Sequence, residues 1–264
     1  MNVSKCAKWM SYLLTIFIVT IIGSAFFKTD HGAMTALFID NGFGRAFLFS
    51  LKTSLAATVL AAFTGIPAGL YLARHSSLTT TIIDALFDIP IVIPPVVTGV
   101  LLLSFFNLAL VKQFYDFIFT INGAVIAQFI VAVPYTIRAS KSAFELVPQI
   151  YERIAMTLGA QPAKAFFDTT FTLAFPAILS GLILSWLRCL GEFGATLMVG
   201  GGIPGKTENI PIYIYLNMSS GEFDRGMAAS IVAICCAFGG VLFIRLLSKR
   251  KKCNTNGALP YSSK

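Results

Sequence analysis

Two charged residues stand where apolar sequence surrounds them. Arg188 and Glu192 lie four residues apart in the apolar run that begins near residue 170, a spacing that puts both on one face of a helix and lets them pair. Thr196, one turn further on, offers a hydroxyl to the same face. An ionised side chain in such surroundings is costly, so it faces the interior of a bundle or a water-filled path. Two uses are open. The pair can fix helix packing, or Arg188 can offset the charge of an anion while Glu192 holds it in place and keeps it from becoming a tight trap. In another apolar run Pro94 and Pro95 are adjacent, with Thr98 just behind. They remove two backbone donors and disfavour helix at the preceding residue, so a kink or unwound stretch is expected there. Because freed carbonyls are tolerated only against protein or a water cavity, a path or gating role for Pro94, Pro95 and Thr98 stands beside plain kinked packing.

Other chemistry is poorly supported. The stretch GGGIPGKT at 200-207 satisfies the phosphate-loop pattern, but that pattern needs a strand before it and a helix after it to cradle nucleotide phosphates. Here an apolar helical run precedes and ENIPIYIY follows. The glycines suit an outer loop instead. His31 and His75 fall in loops on opposite sides, and the five cysteines form no CxxC, which leaves neither a metal site nor a disulfide framework. An intramembrane enzyme would need a nucleophile and base in mutual reach. No catalytic residue and no metal ligand is assigned, and no cofactor is expected on this chain.

The elements that position these residues follow from composition. With 56% hydrophobic and 12% charged residues over 264 positions, and a mean hydropathy of +0.78, the chain carries more apolar side chain than one soluble core hides. The excess must face lipid. The net charge of +8 sits at the ends of apolar runs rather than on a basic face, which argues against nucleic acid as a partner. Runs long enough to cross a bilayer, which takes roughly 20 residues, lie near 10-27, 46-73, 83-107, 123-142, 170-199 and 226-247. The first can also be read as a signal peptide, since Lys5 and Lys8 precede it and Gly23, Ser24 and Ala25 follow.

With the amino terminus inside, thirteen of the twenty Lys and Arg fall in inner segments or at the inner ends of spans, five in outer segments, and Lys52 and Arg188 deeper within spans. That bias predicts an all-α transmembrane protein, a six-helix polytopic bundle with both termini cytoplasmic. In the second run Thr53, Ala57, Ala61, Gly65 and Gly69 recur every fourth residue, and Gly181, Ser185 and Cys189 do so in the fifth. Such stripes let helices approach closely and say nothing of substrate.

The longest polar interruption inside runs from Pro148 to Phe175. Pro148 can start a helix, Gly159 can end it and Pro162 can start the next. Ile150, Ile154, Ala155 and Leu158 share one face of the first helix, with Glu152 and Arg153 opposite, a pattern that suits either a membrane surface or a groove in a partner. The stretch YERIAMTLGAQPAKAFFDTTFTLAFPAILSG resembles the EAA loop of binding-protein-dependent ABC importer permeases: Glu152, Ala155, Gly159 and Pro176 match, while Ile154 and Thr172 depart from the pattern. IPIVIPPVVTGVLLL and LRCLGEFGATLMVGGGIPGKTENIPIYIY are similar to the molybdate and sulfate branch of that family.

The resemblance covers residues 45-248 and implies a type I ABC importer permease fold in the cell membrane. Its domains would be a tail, first helix and outer loop at 1-45, the transmembrane domain at 46-248 with its coupling loop at 148-169, and a basic cytoplasmic tail at 249-264. It implies that Glu152, Arg153, Ala155, Leu158, Gly159 and Ala160 meet an ATPase, while Pro94, Pro95, Thr98, Arg188, Glu192 and Thr196 are candidates for a translocation path on the charge and proline arguments above. The expected partners are two cytoplasmic ATPase subunits holding ATP and Mg, an extracytoplasmic solute-binding protein and a second permease copy in a homodimer. The expected cargo is molybdate or tungstate. Sulfate or thiosulfate is the alternative, and intramembrane charges alone would equally fit a secondary transporter or channel.

Overall fold

A computed structural model describes the backbone of residues 3-28, 31-39 and 41-256, and side chains from residue 7 to 242 except those of 27-31, 33 and 40. The described residues are helical and contain no strand. The side chains of the basic tail at 249-264 lie outside the described residues.

The chain forms two compact units, Asn41–Tyr213 and Met1–Asp40 with Ile214–Lys264. The latter holds α1 (Val3–Lys28), α2 (His31–Ile39), the end of α12 and α13 (Phe223–Asn256). Leu37 of α2 and Ala228, Ala229 and Ile231 of α13 are buried. In contrast, Ala7–Phe26 of α1 buries nothing within the protein. An apolar helix exposed all round is one whose surroundings are lipid.

The larger unit is built on α3 (Asn41–Arg74), α7 (Ile121–Glu145) and α10 (Thr172–Leu190). The stripe of Thr53, Ala57, Ala61, Gly65 and Gly69 is buried along α3, as are Gly181, Ser185 and Cys189 on α10. The close approach is literal: a Cβ on Gly69 would lie 2.8 Å from the Ile137 carbonyl oxygen, and one on Gly181 would lie 2.1 Å from Ala139 Cβ. Between the helices Thr136 donates to Ser185 Oγ at 3.0 Å, Ser185 donates to the Ala132 carbonyl at 3.0 Å, and Trp186 Nε1 donates to Ser54 Oγ at 3.1 Å. Small side chains and satisfied hydroxyls replace the hydrophobic drive that lipid does not supply.

Among the described residues, five helices are long and apolar enough to cross a membrane: Ala7–Phe26, Asn41–Arg74, Ile121–Glu145, Pro162–Leu190 and Phe223–Leu242. The third run, near 83-107, is not one helix. It is α4 (Leu78–Val92) followed by α5 (Pro95–Phe106), bent by 110° at the adjacent prolines. Pro94 is the N-cap of α5 and Pro95 its first residue, positions where a missing N–H breaks no helical bond. The fifth run also ends sooner than expected. α10 stops at Leu190, and α11 (Gly194–Gly200) is a separate short helix. The remaining helical segments are α6 (Ala109–Phe114), α8 (Ile150–Thr157), α9 (Pro162–Ala165), a π-helical turn at Phe166–Phe171, and α12 (Ile210–Ser219).

Candidate functional site

The break between α10 and α11 is where the buried charge sits. Gly191 closes α10, its N–H donating to the Leu187 carbonyl at 3.1 Å. Glu192 therefore lies beyond the helix. Its carboxylate turns toward α11: Oε1 accepts the Ala195 N–H at 2.9 Å, and Oε2 lies 2.6 Å from Arg188 Nη1. The predicted pair thus forms, but across a break rather than along one helix. Thr196 follows as part of α11, so it does not extend the Arg188 face as a straight helix would. It is fully buried, and its hydroxyl has no hydrogen-bond partner among the described residues. Burial is unequal within the pair. The Glu192 side chain is 1% exposed and that of Arg188 27%, which leaves the carboxylate in the protein and part of the guanidinium open.

The chain after α11 returns to lock this break. Asn209 Nδ2 donates to the Glu192 carbonyl at 2.6 Å, its Oδ1 accepts the Ile212 N–H at 3.0 Å, and the Ile210 N–H donates to Ser50 Oγ of α3 at 2.8 Å. Thr207 donates to the Gly200 carbonyl at 2.6 Å and accepts the Ile203 N–H at 3.0 Å. The phosphate-loop pattern is accordingly a closed turn after a helix. Its threonine is buried and used internally, where a nucleotide-binding loop would hold it open for a phosphate-bound metal ion. The glycine-rich part of this segment is largely exposed, while its end at 207-210 is buried in the bundle.

The proline break meets the acidic one. A Cβ on Gly99 of α5 would fall 2.8 Å from Ala195 Cα, and one on Gly194 would fall 2.8 Å from the Val96 backbone nitrogen. The first turns of α5 and α11 are thus pressed together, and Thr98 of α5 is buried. Pro94 is exposed and Pro95 half-buried. The structure therefore brings Pro95, Thr98, Glu192 and Thr196 into one region through helix ends rather than through helix faces.

A second site lies at the far end of α3 and α10. The expected helix is present as α8, and it ends in a Schellman motif: the Gly159 N–H donates to Met156 O and the Ala160 N–H to Ala155 O, both at 3.0 Å. Gly159 has φ +91° with no atom within 4 Å of where a Cβ would stand, so it is required by backbone conformation and not by a close neighbour. The polarity of α8 is inverted relative to a helix resting on a soluble core. Ile150, Ile154 and Leu158 are 52%, 50% and 83% exposed. Glu152 points inward, its Oε1 accepting from Arg74 Nη2 of α3 and from Thr170 of the π turn. Arg153 is exposed and Ala155 half-buried. The π turn has its own lock, Thr172 Oγ1 donating to the Phe167 carbonyl at 2.8 Å.

Sequence reasoning missed the inward partners Arg74 and Thr170, and also two ion pairs between α4 and α7. Asp84 meets Lys141 at 2.7 Å and Asp88 meets Arg138 at 2.5 Å. Acids four apart on one helix and bases three apart on another were the available signal.

Comparison with known proteins places these features. The family described as binding-protein-dependent transport system inner membrane component matches residues 65–252. The molybdenum transport system permease protein ModB of Escherichia coli (strain K12) is 34% identical over 213 residues, covering 78% of this chain and 93% of that protein. The molybdate/tungstate transport system permease protein WtpB of Thermococcus kodakarensis is 34% identical over 202 residues, covering 76% and 77%. Among solved structures, the bacterial alginate ABC transporter in complex with an alginate pentasaccharide-bound periplasmic protein superposes with a TM-score of 0.66 at 18% identity, over 95% of this chain and 98% of that one. An inward-facing MetNI methionine ABC transporter gives 0.57 at 16%, over 76% and 94%. These two show the fold.

Proposed function

Since the chain belongs to the binding-protein-dependent transport system inner membrane component family, we propose that it is the permease of an ATP-driven importer of a tetrahedral oxyanion, molybdate or tungstate. The observation that carries the substrate is the identity to molybdenum and molybdate/tungstate permeases over three quarters or more of this chain. The chain supplies a path and a coupling surface. ATP and Mg belong to two ATPase subunits on the cytoplasmic side, a solute-binding protein delivers the anion outside, and a second copy of this chain completes the path. Solved relatives support that assembly, one of them in complex with a periplasmic protein.

Two features of the geometry fit this work. At the break, Arg188 presents a partly open cation backed by a buried carboxylate. A passing dianion gains a charge-assisted donor there, while Glu192 weakens the net field so that the anion leaves. On the other side, α8 turns its apolar residues outward, which is the form of a helix that seats in a partner's cleft. Leu158, Arg153 and Ala155 would meet the ATPase, while Gly159 and Ala160 close the helix end.

The substrate is tested in proteoliposomes carrying this chain with its ATPase and binding protein. ATP-dependent uptake of labelled molybdate, competed by tungstate and not by equimolar sulfate, is expected. Equal competition by sulfate would overturn the choice of anion.

A further inference from the structure

Glu152 is spent inside the protein, although it lies in the loop that would meet the ATPase. No side chain of α8 is buried, so apolar packing does not hold the helix down. One carboxylate oxygen does. Oε1 of Glu152 receives Arg74 Nη2 and Thr170 Oγ1 together, and Arg74 Nη2 lies 3.5 Å from the same Thr170 oxygen. The side chains of Arg74 and Glu152 are 16% and 23% exposed and Thr170 is fully buried, so this contact is partly shielded from water. Three segments converge on it: the last residue of α3, the first turn of α8, and the π turn that leads into α10.

α3 then runs on as one helix through Pro67. Ser50 lies 24 residues before Arg74, roughly 36 Å along the axis at ~1.5 Å per residue. There Ser50 accepts the Ile210 N–H, next to Asn209, which holds the Glu192 carbonyl. The two sites are therefore joined by one continuous helix, with a charged contact at its last residue and a hydrogen-bonded strap at Ser50.

We infer that Arg74 and Thr170 are positioning residues for coupling: through Glu152 they fasten α8 to α3 and to the base of α10, and the ATPase stroke enters the membrane there. This rests on α8 being the ATPase contact. A mutant cycle measures that coupling directly.

The assay is anion transported per ATP hydrolysed, in proteoliposomes of the assembled complex, for Arg74→Glu, Glu152→Arg and the double variant. A hydroxyl both donates and accepts, so Thr170 serves the reversed pair as well. Each single reversal should lower the ratio about tenfold, the scale of one charge-assisted bond, and the double reversal should return it to within about twofold. A double variant as poor as the singles, or an Arg74→Glu variant with the wild-type ratio, overturns the inference. Should Arg74→Glu fail to assemble, Arg74→Lys against Arg74→Met decides the same point, with coupling kept by the first and lost by the second. Equal ratios in those two overturn it. A disulfide crosslink from Leu158→Cys to a cysteine in the ATPase separates the premise from the inference. No crosslink at all sinks both, whereas a normal crosslink with an unchanged ratio in Arg74→Met sinks only the role of Arg74 and Thr170.

Discussion

Removing the charge pair at the break while keeping an acceptor for the buried Ala195 N–H requires Arg188→Met with Glu192→Gln. Glu192 does two jobs, and they need different replacements. Its Oε1 accepts the buried Ala195 N–H, and an apolar residue there would leave that donor unsatisfied at about 1–3 kcal/mol. Glutamine keeps an acceptor in place. Its Oε2 faces Arg188, and cutting Arg188 alone would strand a carboxylate that is 1% exposed, at roughly 3–5 kcal/mol. Changing both together avoids each penalty and leaves only the new amide nitrogen short of an acceptor, so the double variant should assemble and melt several degrees below wild type, consistent with a cost of about 1–3 kcal/mol. If Arg188 meets the anion, uptake should nevertheless fall about ten- to a hundredfold, the worth of one charged hydrogen bond of ~1.5–3 kcal/mol. The measurement is ATP-dependent labelled molybdate uptake in proteoliposomes, normalised to assembled complex, alongside thermal unfolding of the same preparation. Wild-type uptake by a stable double variant would refute the path role of Arg188 and leave the pair as packing.

Further outcomes follow from single positions. Gly159→Leu forces a branched side chain into φ +91° at a cost of about 1–2 kcal/mol, with no steric clash inside the chain. It should insert normally yet transport less anion per ATP, and an unchanged ratio would remove the turn from coupling. Gly69→Val drives a side chain into the Ile137 carbonyl and Ser140, so detergent-solubilised protein should lose stability by at least about 1–3 kcal/mol, whereas full retention of the folded peak would contradict the packing of α3 on α7. Lys206→Ala should leave both uptake and nucleotide binding by the complex unaltered, because its loop is closed by Thr207. Thr207→Val in the same loop should destabilise by about 2 kcal/mol through two lost bonds, read as a lower unfolding midpoint.

Much of the architecture was legible because lipid imposes a simple rule. A chain in hydrocarbon must satisfy its backbone within helices, so run length alone located the spans, and stripes such as Ala57, Ala61, Gly65 and Gly69 marked the faces that touch. Local rules did as well where the chemistry is local. The prolines announced the bend between α4 and α5, and Gly159 announced the end of α8, because each acts through its own φ, ψ and missing or permissive atoms. Residue spacing failed where a helix ended inside an apolar run. Hydropathy does not change at Gly191, so 170-199 reads as one span, and only the fold shows Glu192 capping α11 with Asn209 holding its carbonyl.

The partners of Glu152 were equally hidden. Arg74 and Thr170 lie 78 and 18 residues away, and periodicity carries no information across such distances. Sequence thus determined which residues are apolar, where helices start and bend, and which loop bears the family's pattern. Tertiary structure decided which carboxylate meets which cation, because a buried charge is placed by whatever donors the packed helices bring to it, and those donors come from segments that nothing in the local sequence connects.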